Sequence, residues 1–442
     1  MATPPMLSRR RSPRASALRI LIIAHDFPPL NSSASRRPYS WARTWSRLGH
    51  EVHVLTTAKY ATDGTAYSSL DCSGFEVHEM PYLPLSRPVP RSAAHDAPPP
   101  QRSFAFELVR RATRRLRLGL GVFTQTTMLA RRALLRRAIA LHAEQRFDFV
   151  ISSSGPEVCS YVAHSFSRRT GTPWIADYRD LWFAEFAVQR YRFTTWFTGA
   201  ANLRMLRAAR AVSTVSEGLA SYLRPLVRCP VWVSYNGYLD ELKVHAPVPG
   251  WPDGRVHLVY TGNFYPGKRD PESFFAALAA MPELHAKLRL DVYGPAEGWV
   301  RARVAAHGLA EVVVLHGQVS YAESLGAQRA AHALLFVDWM DARAEGVLTG
   351  KLFEYLASGR PTLCIGNRVD TEAARIIAEC RAGETATAAA AIRAALGRIA
   401  AGNFGAVPDA VRVRRFAREE QARLLLARIS ERVSPHVQSE AG

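Results

Sequence analysis

The second half of the sequence contains a loop whose residue types suit a phosphate group. Residues 262–270 read GNFYPGKRD and follow an apolar run. Gly267 permits close approach of the backbone, and Lys268 and Arg269 bring two cations that could clamp a diphosphate leaving group. The alternative is a surface turn with a solvated Lys–Arg pair.

A helix start further along the chain suits the same kind of ligand. Residues 345–361 read EGVLTGKLFEYLASGRP, and the pattern predicts a helix that begins near Lys351 after Gly350. Free N–H groups at such a start favour an anion. Glu354, one turn into the helix, could accept two hydrogen bonds from a diol such as ribose. The alternative is a plain capped helix with Glu354 as a solvated acid.

The elements that must position these residues alternate as strand and helix. In the first half, short apolar runs predict strands at 19–26, 51–57, 148–155, 173–180, 211–216 and 231–237. In the second half, five runs predict strands at 257–262, 288–294, 312–317, 333–338 and 361–366. Two successive series of this kind predict an α/β chain with two Rossmann-like, doubly wound domains.

The predicted boundaries follow from composition. The domains are 18–244 and 245–410, and they join near a Pro- and Gly-rich stretch at 245–254. A helix at 411–433 is predicted to cross back to the first domain. Residues 1–17 and 434–442 are expected to be tails, and the first of these is too poor in apolar residues for a secretory leader.

Ligands of doubly wound sheets bind beyond the carboxyl ends of the strands, so two sheets whose edges face each other define a cleft. The polar residues and glycines predicted at these ends are His25, Ser154, Asp177, Arg179, Asp180, Gly262 and Gly294.

The charge of the chain is unusual. Lys and Arg number 57 against 38 acids, a net charge of +19, which favours polyanionic partners. An insertion at 83–145 interleaves apolar residues with the arginines Arg110, Arg111, Arg114, Arg115, Arg117, Arg131, Arg132, Arg136 and Arg137. This pattern predicts a cationic amphipathic helix pair on an anionic membrane. A domain helix with a solvated Arg face and a nucleic-acid contact are the alternatives.

The five cysteines, an odd number without metal-ligand spacing, indicate free thiols in a reducing compartment. No apolar run approaches the roughly 20 residues that span a bilayer. These observations predict a cytoplasmic protein, peripheral at the inner face of the membrane.

Taken in order, several segments resemble the family 4 glycosyltransferases of the GT-B fold, and within them the bacterial branch that builds surface polysaccharides and glycolipids. The likeness runs over nearly all of residues 19–425. Its segments are HDFPP, LGHEVHVLTT, FDFVISSSGPE, WIADYRDLW, AVSTVSEGL, VSYNGYLDE, YTGNFYPGKRDP and GKLFEYLASGRP.

The resemblance implies a hexosyltransferase that moves a sugar from a nucleotide-diphosphate sugar, with UDP favoured, to a lipid-linked or saccharide acceptor. It implies retention of the anomeric configuration, no metal and no further cofactor. Lys268 would hold the diphosphate and Glu354 the ribose. Asp177, Arg179 and Asp180 would face the cleft. Asp177 and Ser154 would contact the sugar or the acceptor, and Asp180, Arg179 and His25 are the candidate catalytic or positioning residues.

Three positions depart from the family pattern. Gly346 occupies the place of the first paired glutamate, with Glu345 one step away, and both are candidates for sugar contact. Asn263 occupies the place of the usual phosphate arginine, for which Arg269 could compensate. Ser32-Ser33 replaces the usual Gly-Gly.

Two other functions fit part of the sequence. A sugar-nucleotide 2-epimerase would share the cleft but needs poised acids or bases at the sugar, of which the sequence shows no clear set. A nucleic-acid or membrane binder would use the charge, but it has no need of two full domains and a cleft.

Overall fold

The protein is described by a computed structural model that covers residues 17–30, 32–60, 63, 70–82, 88, 126–179, 200–239, 250–295, 298–341 and 346–433. Within these residues it contains two parallel sheets with helices packed around them. The predicted α/β architecture with two Rossmann-like sheets is confirmed.

The first sheet has seven strands in the spatial order β3-β2-β1-β4-β5-β6-β7. Its strands are β1 (Arg19–Ala24), β2 (Glu51–Thr57), β3 (Glu76–Met80), β4 (Phe149–Ser153), β5 (Trp174–Tyr178), β6 (Ala211–Thr214) and β7 (Val231–Val233). Its helices are α1 (Ser33–Arg47), α2 (Arg131–Glu144), α3 (Val158–Thr170) and α4 (Glu217–Leu223). All neighbouring strands are parallel, and β1 is buried almost throughout because it lies inside the sheet.

The second sheet has six strands in the spatial order β10-β9-β8-β11-β12-β13. Its strands are β8 (Val256–Thr261), β9 (Leu288–Tyr293), β10 (Val313–Gly317), β11 (Ala333–Val337), β12 (Thr362–Ile365) and β13 (Gly383–Ala386). Its helices are α5 (Glu272–Ala279), α6 (Gly298–Ala306), α7 (Tyr321–Ala330), α8 (Gly350–Ser358), α9 (Glu372–Glu379) and α10 (Ala389–Ala400).

The last predicted helix is two helices, α11 (Ala410–Arg414) and α12 (Arg418–Val433). Asp409 caps α11 by accepting from the backbone N–H groups of Val411 and Arg412. Helix α12 lies on the first domain, where Leu425 and Ile429 join the core beneath α1 and the indole N–H of Trp45 donates to Ala422 O at 2.9 Å.

The described part of the basic insertion is a domain helix. In α2 the apolar side chains Leu134 and Leu135 are buried in the first-domain core, while Arg131, Arg132 and Arg136 are exposed. Residues 104–125, the rest of the predicted pair, lie outside the described residues. None of the helices in the described segments is long and apolar enough to cross a lipid bilayer.

Candidate active site

The second domain forms one wall of the cleft with glycines at the ends of three neighbouring strands. The backbone N–H of Gly262 donates to Tyr293 O at 2.7 Å, and that of Gly294 to Gly317 O at 2.8 Å. A Cβ atom on Gly294 would lie 2.2 Å from Gly262 O, so a side chain at this position would push the strand ends apart. The glycines therefore let the loops after β8 and β9 approach each other closely.

The loop after β8 separates the two predicted phosphate cations. Lys268 is exposed, and its Nζ lies 5.5 Å from the centroid of the Trp339 ring. Arg269 is buried, and its Nε donates to Val337 O at 3.1 Å. Lys268 is thus the member of this pair that can meet a ligand, while Arg269 holds the loop against β11. Asn263 is exposed on the same loop.

Helix α8 begins beside this loop. The Thr349 hydroxyl accepts a hydrogen bond from Lys351 N at 3.2 Å and caps the helix. The Lys351 ammonium lies 4.2 Å above the centre of the Tyr260 ring and donates to Tyr260 Oη at 3.1 Å. A Cβ atom on Gly262 would lie 2.7 Å from Lys351 Nζ, so the glycine admits the ammonium to the strand end. Burial, and then the charge of Arg269, holds the pKa of Lys351 well below its usual value.

Glu354 is held by a side chain that the sequence did not single out. Tyr321 Oη donates to Glu354 Oε1 at 2.8 Å, and Gln328 Nε2 lies 3.5 Å from Glu354 Oε2. Each carboxylate oxygen can accept a second hydrogen bond, so the group retains capacity for a diol. Tyr321, Gln328 and Glu354 line a small cavity of about 20 Å³.

The first domain meets this wall through the start of α1. A Cβ atom on Gly350 would lie 3.4 Å from Ser33 Oγ, so the starts of α8 and α1 face each other across the cleft. The guanidinium of Arg36, also on α1, lies 3.6 Å from the centre of the Tyr321 ring. Two helix N-termini, each a partial positive charge, therefore converge beside the Lys351 side chain.

Asp177 lies inside the first domain. Its side chain is fully buried, and its two carboxylate oxygens accept from Arg37 at 2.7 and 3.0 Å. Ser213 Oγ donates to the same carboxylate at 2.7 Å. The sequence predicted that Asp177 contacts a sugar, whereas this geometry makes it the anchor that joins α1 to β5 and β6.

Arg179 also bonds within the first domain. Its Nη2 donates to Asp26 Oδ2 at 2.8 Å and to the carbonyl oxygens of Ser154 and Gly155, both at 3.0 Å. The backbone of Ser154 is thereby fixed, and its buried hydroxyl donates to Glu157 at 3.0 Å. Arg179 ties the ends of β1, β4 and β5 together. Asp180, the third predicted polar residue here, lies outside the described residues.

His25 is buried at the end of β1. Its Nδ1 lies 2.5 Å from Thr57 Oγ1. Burial, followed by the positive charges of Lys59 and Arg179, lowers the pKa of His25 to about 3. The ring is therefore neutral at physiological pH.

Gly346 closes the contact between the domains. Its φ is +93°, and a Cβ atom there would lie 2.7 Å from Leu219 N and 2.8 Å from Gly218 Cα of the first domain. A glutamate side chain at this position would collide with α4. Glu345 lies outside the described residues.

Glu372, which the sequence analysis missed, bridges the same contact. Its carboxylate accepts from the backbone N–H of Glu217 at 2.8 Å and of Gly218 at 3.1 Å. It also lines an open cavity of about 220 Å³, together with Asp338 and Gly346. Lys268 and Glu354 are not part of that lining, but Trp339, which Lys268 approaches, is. The larger cavity thus adjoins the phosphate-like wall.

The residues that the sequence missed had weak local signals. Arg36 and Arg37 are adjacent arginines in α1, a pattern typical of a solvent-exposed helix face. Tyr321 begins α7 directly after the capping residue Ser320, and no motif there indicates a ligand. Asp177 and Tyr321, which Arg37 and Arg36 contact, are 100 or more positions away from them, and Glu354 is 33 positions from Tyr321, so only the folded chain brings these groups to the site.

Comparison with known proteins concerns the first domain and the fold. Residues 33–237 match the model of the glycosyl transferase 4-like domain. Among curated proteins, none matches the chain significantly in sequence.

Three solved structures share the fold. A sucrose-phosphate synthase from Thermosynechococcus elongatus has a TM-score of 0.63 at 15% identity, covering 94% of this chain and 99% of the other. A glycosyltransferase from Rickettsia africae ESF-5 has a TM-score of 0.55 at 14% identity, covering 95% and 100%. The apo form of the lipopolysaccharide outer core galactosyltransferase WaaB has a TM-score of 0.55 at 13% identity, covering 94% and 99%.

Residues 33–237 therefore match a glycosyl transferase 4-like domain, and the chain as a whole shares its fold of two Rossmann-like sheets with these solved structures.

Proposed function

We propose that the chain is a glycosyltransferase that moves a hexosyl group from a nucleotide-diphosphate sugar to an acceptor hydroxyl, with retention of configuration. The observation that carries the proposal is the convergence of the starts of α1 and α8 with Lys351 beside Gly262. Lys268 stands at the end of the adjoining loop. Such a group of fixed positive charges suits a diphosphate.

The donor would lie along the cleft in three parts. Its ribose diol meets Glu354 beside Tyr321. Its diphosphate meets the start of α8 and Lys268. Its sugar extends into the larger cavity beside Gly346. This order of ribose, diphosphate and sugar along the cleft follows from the positions of Glu354 and Gly346, which lie on either side of the start of α8 in the chain.

The chemistry then depends on the leaving group. As the glycosidic bond breaks, negative charge grows on the diphosphate oxygen, and preorganised N–H groups and cations lower the barrier by stabilising that charge. The proposal assigns this role to the chain's own cations, with no metal. In a retaining reaction the acceptor approaches on the leaving-group side, and the phosphate oxygen can take its proton. His25 and Arg179 then act by positioning, which fits their internal hydrogen bonds.

The acceptor is proposed to be lipid-linked or a saccharide, met at the cytoplasmic face of a membrane. The support is the exposed arginine side of α2 and the net charge of +19. Flotation with anionic and neutral liposomes tests it. Salt-sensitive recovery with the anionic vesicles alone is expected, and equal recovery with both would contradict it.

The donor site is tested by Lys268→Ala against Lys287→Ala, which changes an exposed lysine directly before β9 in the same domain. UDP-, GDP- and dTDP-sugars are first screened by thermal shift, since a ligand of the folded state raises Tm, with UDP-sugars expected to give the largest shift. Loss of a transition-state cation typically costs about 10²–10³ in turnover. Lys268→Ala should lose that much with an unchanged melting temperature, and Lys287→Ala should match wild type.

Equal turnover in the two lysine variants would contradict the proposal that Lys268 binds the diphosphate. The anomer of the product, read by NMR before equilibration, tests retention independently. An inverted product would exclude the retaining mechanism while leaving the donor site in place.

A further inference from the structure

Three potential metal ligands lie together on the first domain, away from the cleft. His53 is on β2, and Glu76 and His78 are on the neighbouring edge strand β3. His53 pairs with Glu76 in the sheet register, and His78 is two residues further along β3, so it lies on the same face as Glu76. Glu76 is the first residue of β3, and His53 and His78 are each the third residue of their strands.

The ligand atoms form a compact triangle. His53 Nδ1 lies 3.2 Å from His78 Nε2 and 3.4 Å from Glu76 Oε2, and the last two atoms are 3.5 Å apart. A tetrahedral zinc ion with bonds of about 2.0–2.2 Å holds its ligands roughly 3.3–3.6 Å apart. We propose that His53, Glu76 and His78 bind one Zn²⁺ ion, with water as the fourth ligand. Glu76 is exposed, which leaves the triangle open to solvent on one side.

A further carboxylate orients the first imidazole. His53 Nε2 lies 2.8 Å from Glu51 Oε1. Because an ionised carboxylate only accepts, Nε2 carries the proton and Nδ1 presents its lone pair to the other two ligands. A histidine ligand that donates its second N–H to a carboxylate is the usual support of a zinc site.

The charged neighbours set a specific condition on binding. Arg137 Nη2 lies 3.2 Å from His78 Nδ1, and Arg19 Nη2 lies 3.4 Å from His53 Nε2. Glu51 pairs with Arg19, and Glu144 lies 4.0 Å from Arg137. Zinc on His78 Nε2 places the ring proton at Nδ1, which faces Arg137. The guanidinium must therefore swing away, as its partly exposed position allows.

This condition separates the proposal from a metal-free network. Without zinc, a hydrogen-bond chain from Arg137 through His78 and His53 to Glu51 satisfies every one of these groups. In that case removing Arg137 brings no gain in metal affinity. If the site binds zinc, Arg137→Gln should bind it several-fold more tightly, while Arg136→Gln on the exposed side of the same helix should match wild type.

The experiment is a calorimetric titration of the reduced, EDTA-treated full chain with ZnCl₂, with Mg²⁺ as a second titrant. One saturable Zn²⁺ per chain is expected, with no heat from Mg²⁺, because two imidazoles disfavour the harder ion. His78→Gln and Glu76→Gln should each weaken binding about tenfold or more. His285→Gln, the same change in the second domain, should leave it unaltered.

Cobalt substitution identifies the ligands. Co²⁺ at this site should give the intense visible bands of four-coordination without the near-ultraviolet thiolate band that cysteine ligands produce. Thermal melts of each variant check that the fold is intact. A titration without one saturable site, or one equal in wild type and His78→Gln, would overturn the proposal, as would a cobalt–thiolate band or Arg137→Gln binding no tighter than Arg136→Gln.

Discussion

The two walls of the cleft use their polar residues differently. In the first domain the side chains at the strand ends bond to one another, as Arg37 does with Asp177 and Arg179 with Asp26. In the second domain Lys268 is exposed on the loop after β8, and Glu354 on α8 accepts a hydrogen bond from Tyr321 through one carboxylate oxygen. The first wall is a rigid frame, and the second presents groups to a ligand. Changes in the first should therefore affect folding, and changes in the second should affect turnover.

The largest effect is expected from Arg37→Ala. It leaves the fully buried Asp177 carboxylate without its cation, a change that typically costs about 3–5 kcal/mol in the free energy of unfolding. Urea unfolding measures it, with Arg47→Ala, exposed at the end of the same helix, as the control. Adding Asp177→Asn should recover part of the loss. A stable Arg37→Ala protein that merely lost turnover would make the first wall a binding surface after all.

The converse change is Glu354→Gln in the second wall. The amide keeps the volume and the contact with Tyr321 but weakens acceptance from a diol, so kcat/KM should fall by about 10–100-fold, or roughly 1.4–2.7 kcal/mol. The free energy of unfolding should stay within about 0.5 kcal/mol of wild type. Glu311→Gln, an exposed acid of the same domain, is the control. Destabilisation without a kinetic defect would place Glu354 with the structural groups.

A pH series sharpens the assignment of His25 to the rigid frame. Its folded-state pKa of about 3 lies below the unfolded value near 6.5. Below pH 6.5 the unfolded chain therefore binds a proton that the folded chain excludes. Stability should fall as pH drops from about 6.5 towards 3, by up to about 1.4 kcal/mol per pH unit, and this contribution should be constant above pH 6.5.

The measurement compares wild type with His25→Asn, whose amide retains a polar contact with Thr57. The difference between their unfolding free energies should change with pH only in the acidic range. Parallel curves from pH 7 to 4 would show that His25 titrates freely in the folded protein.

The smallest effect concerns the contact between the walls. Glu372→Gln removes the negative charge that accepts two hydrogen bonds from the start of α4. It should destabilise the closed arrangement of the two domains by about 1 kcal/mol. Small-angle scattering should show a larger mean radius of gyration than for Glu379→Gln, on the same helix but outside the cavity. Equal radii would mean that Gly346 and its packing hold the domains without this bridge.

The strands that the sequence analysis missed are both at sheet edges. β3 (EVHEM) and β13 (GETA) are the outermost strands of their sheets and are only partly buried. An edge strand buries less apolar surface than a central one and carries polar residues, so its pattern lacks the apolar run by which the central strands were recognised. The same polar composition in β3 supplies Glu76 and His78 to the proposed zinc site.

The sequence by itself determined the succession of the central strands and their helices along the chain, the glycines at the strand ends, and the start of α8 with its lysine and glutamate. These features are local, because apolar periodicity, caps and glycine turns act over a few residues. Tertiary structure alone decided that Asp177 is paired with Arg37, 140 positions away, that Tyr321 holds Glu354, and that Gly346 abuts α4. The local pattern identifies a polar residue at the end of a strand. Its hydrogen-bonding partner comes from a distant part of the chain, and that partner decides whether the residue belongs to the rigid frame or is available to bind a ligand.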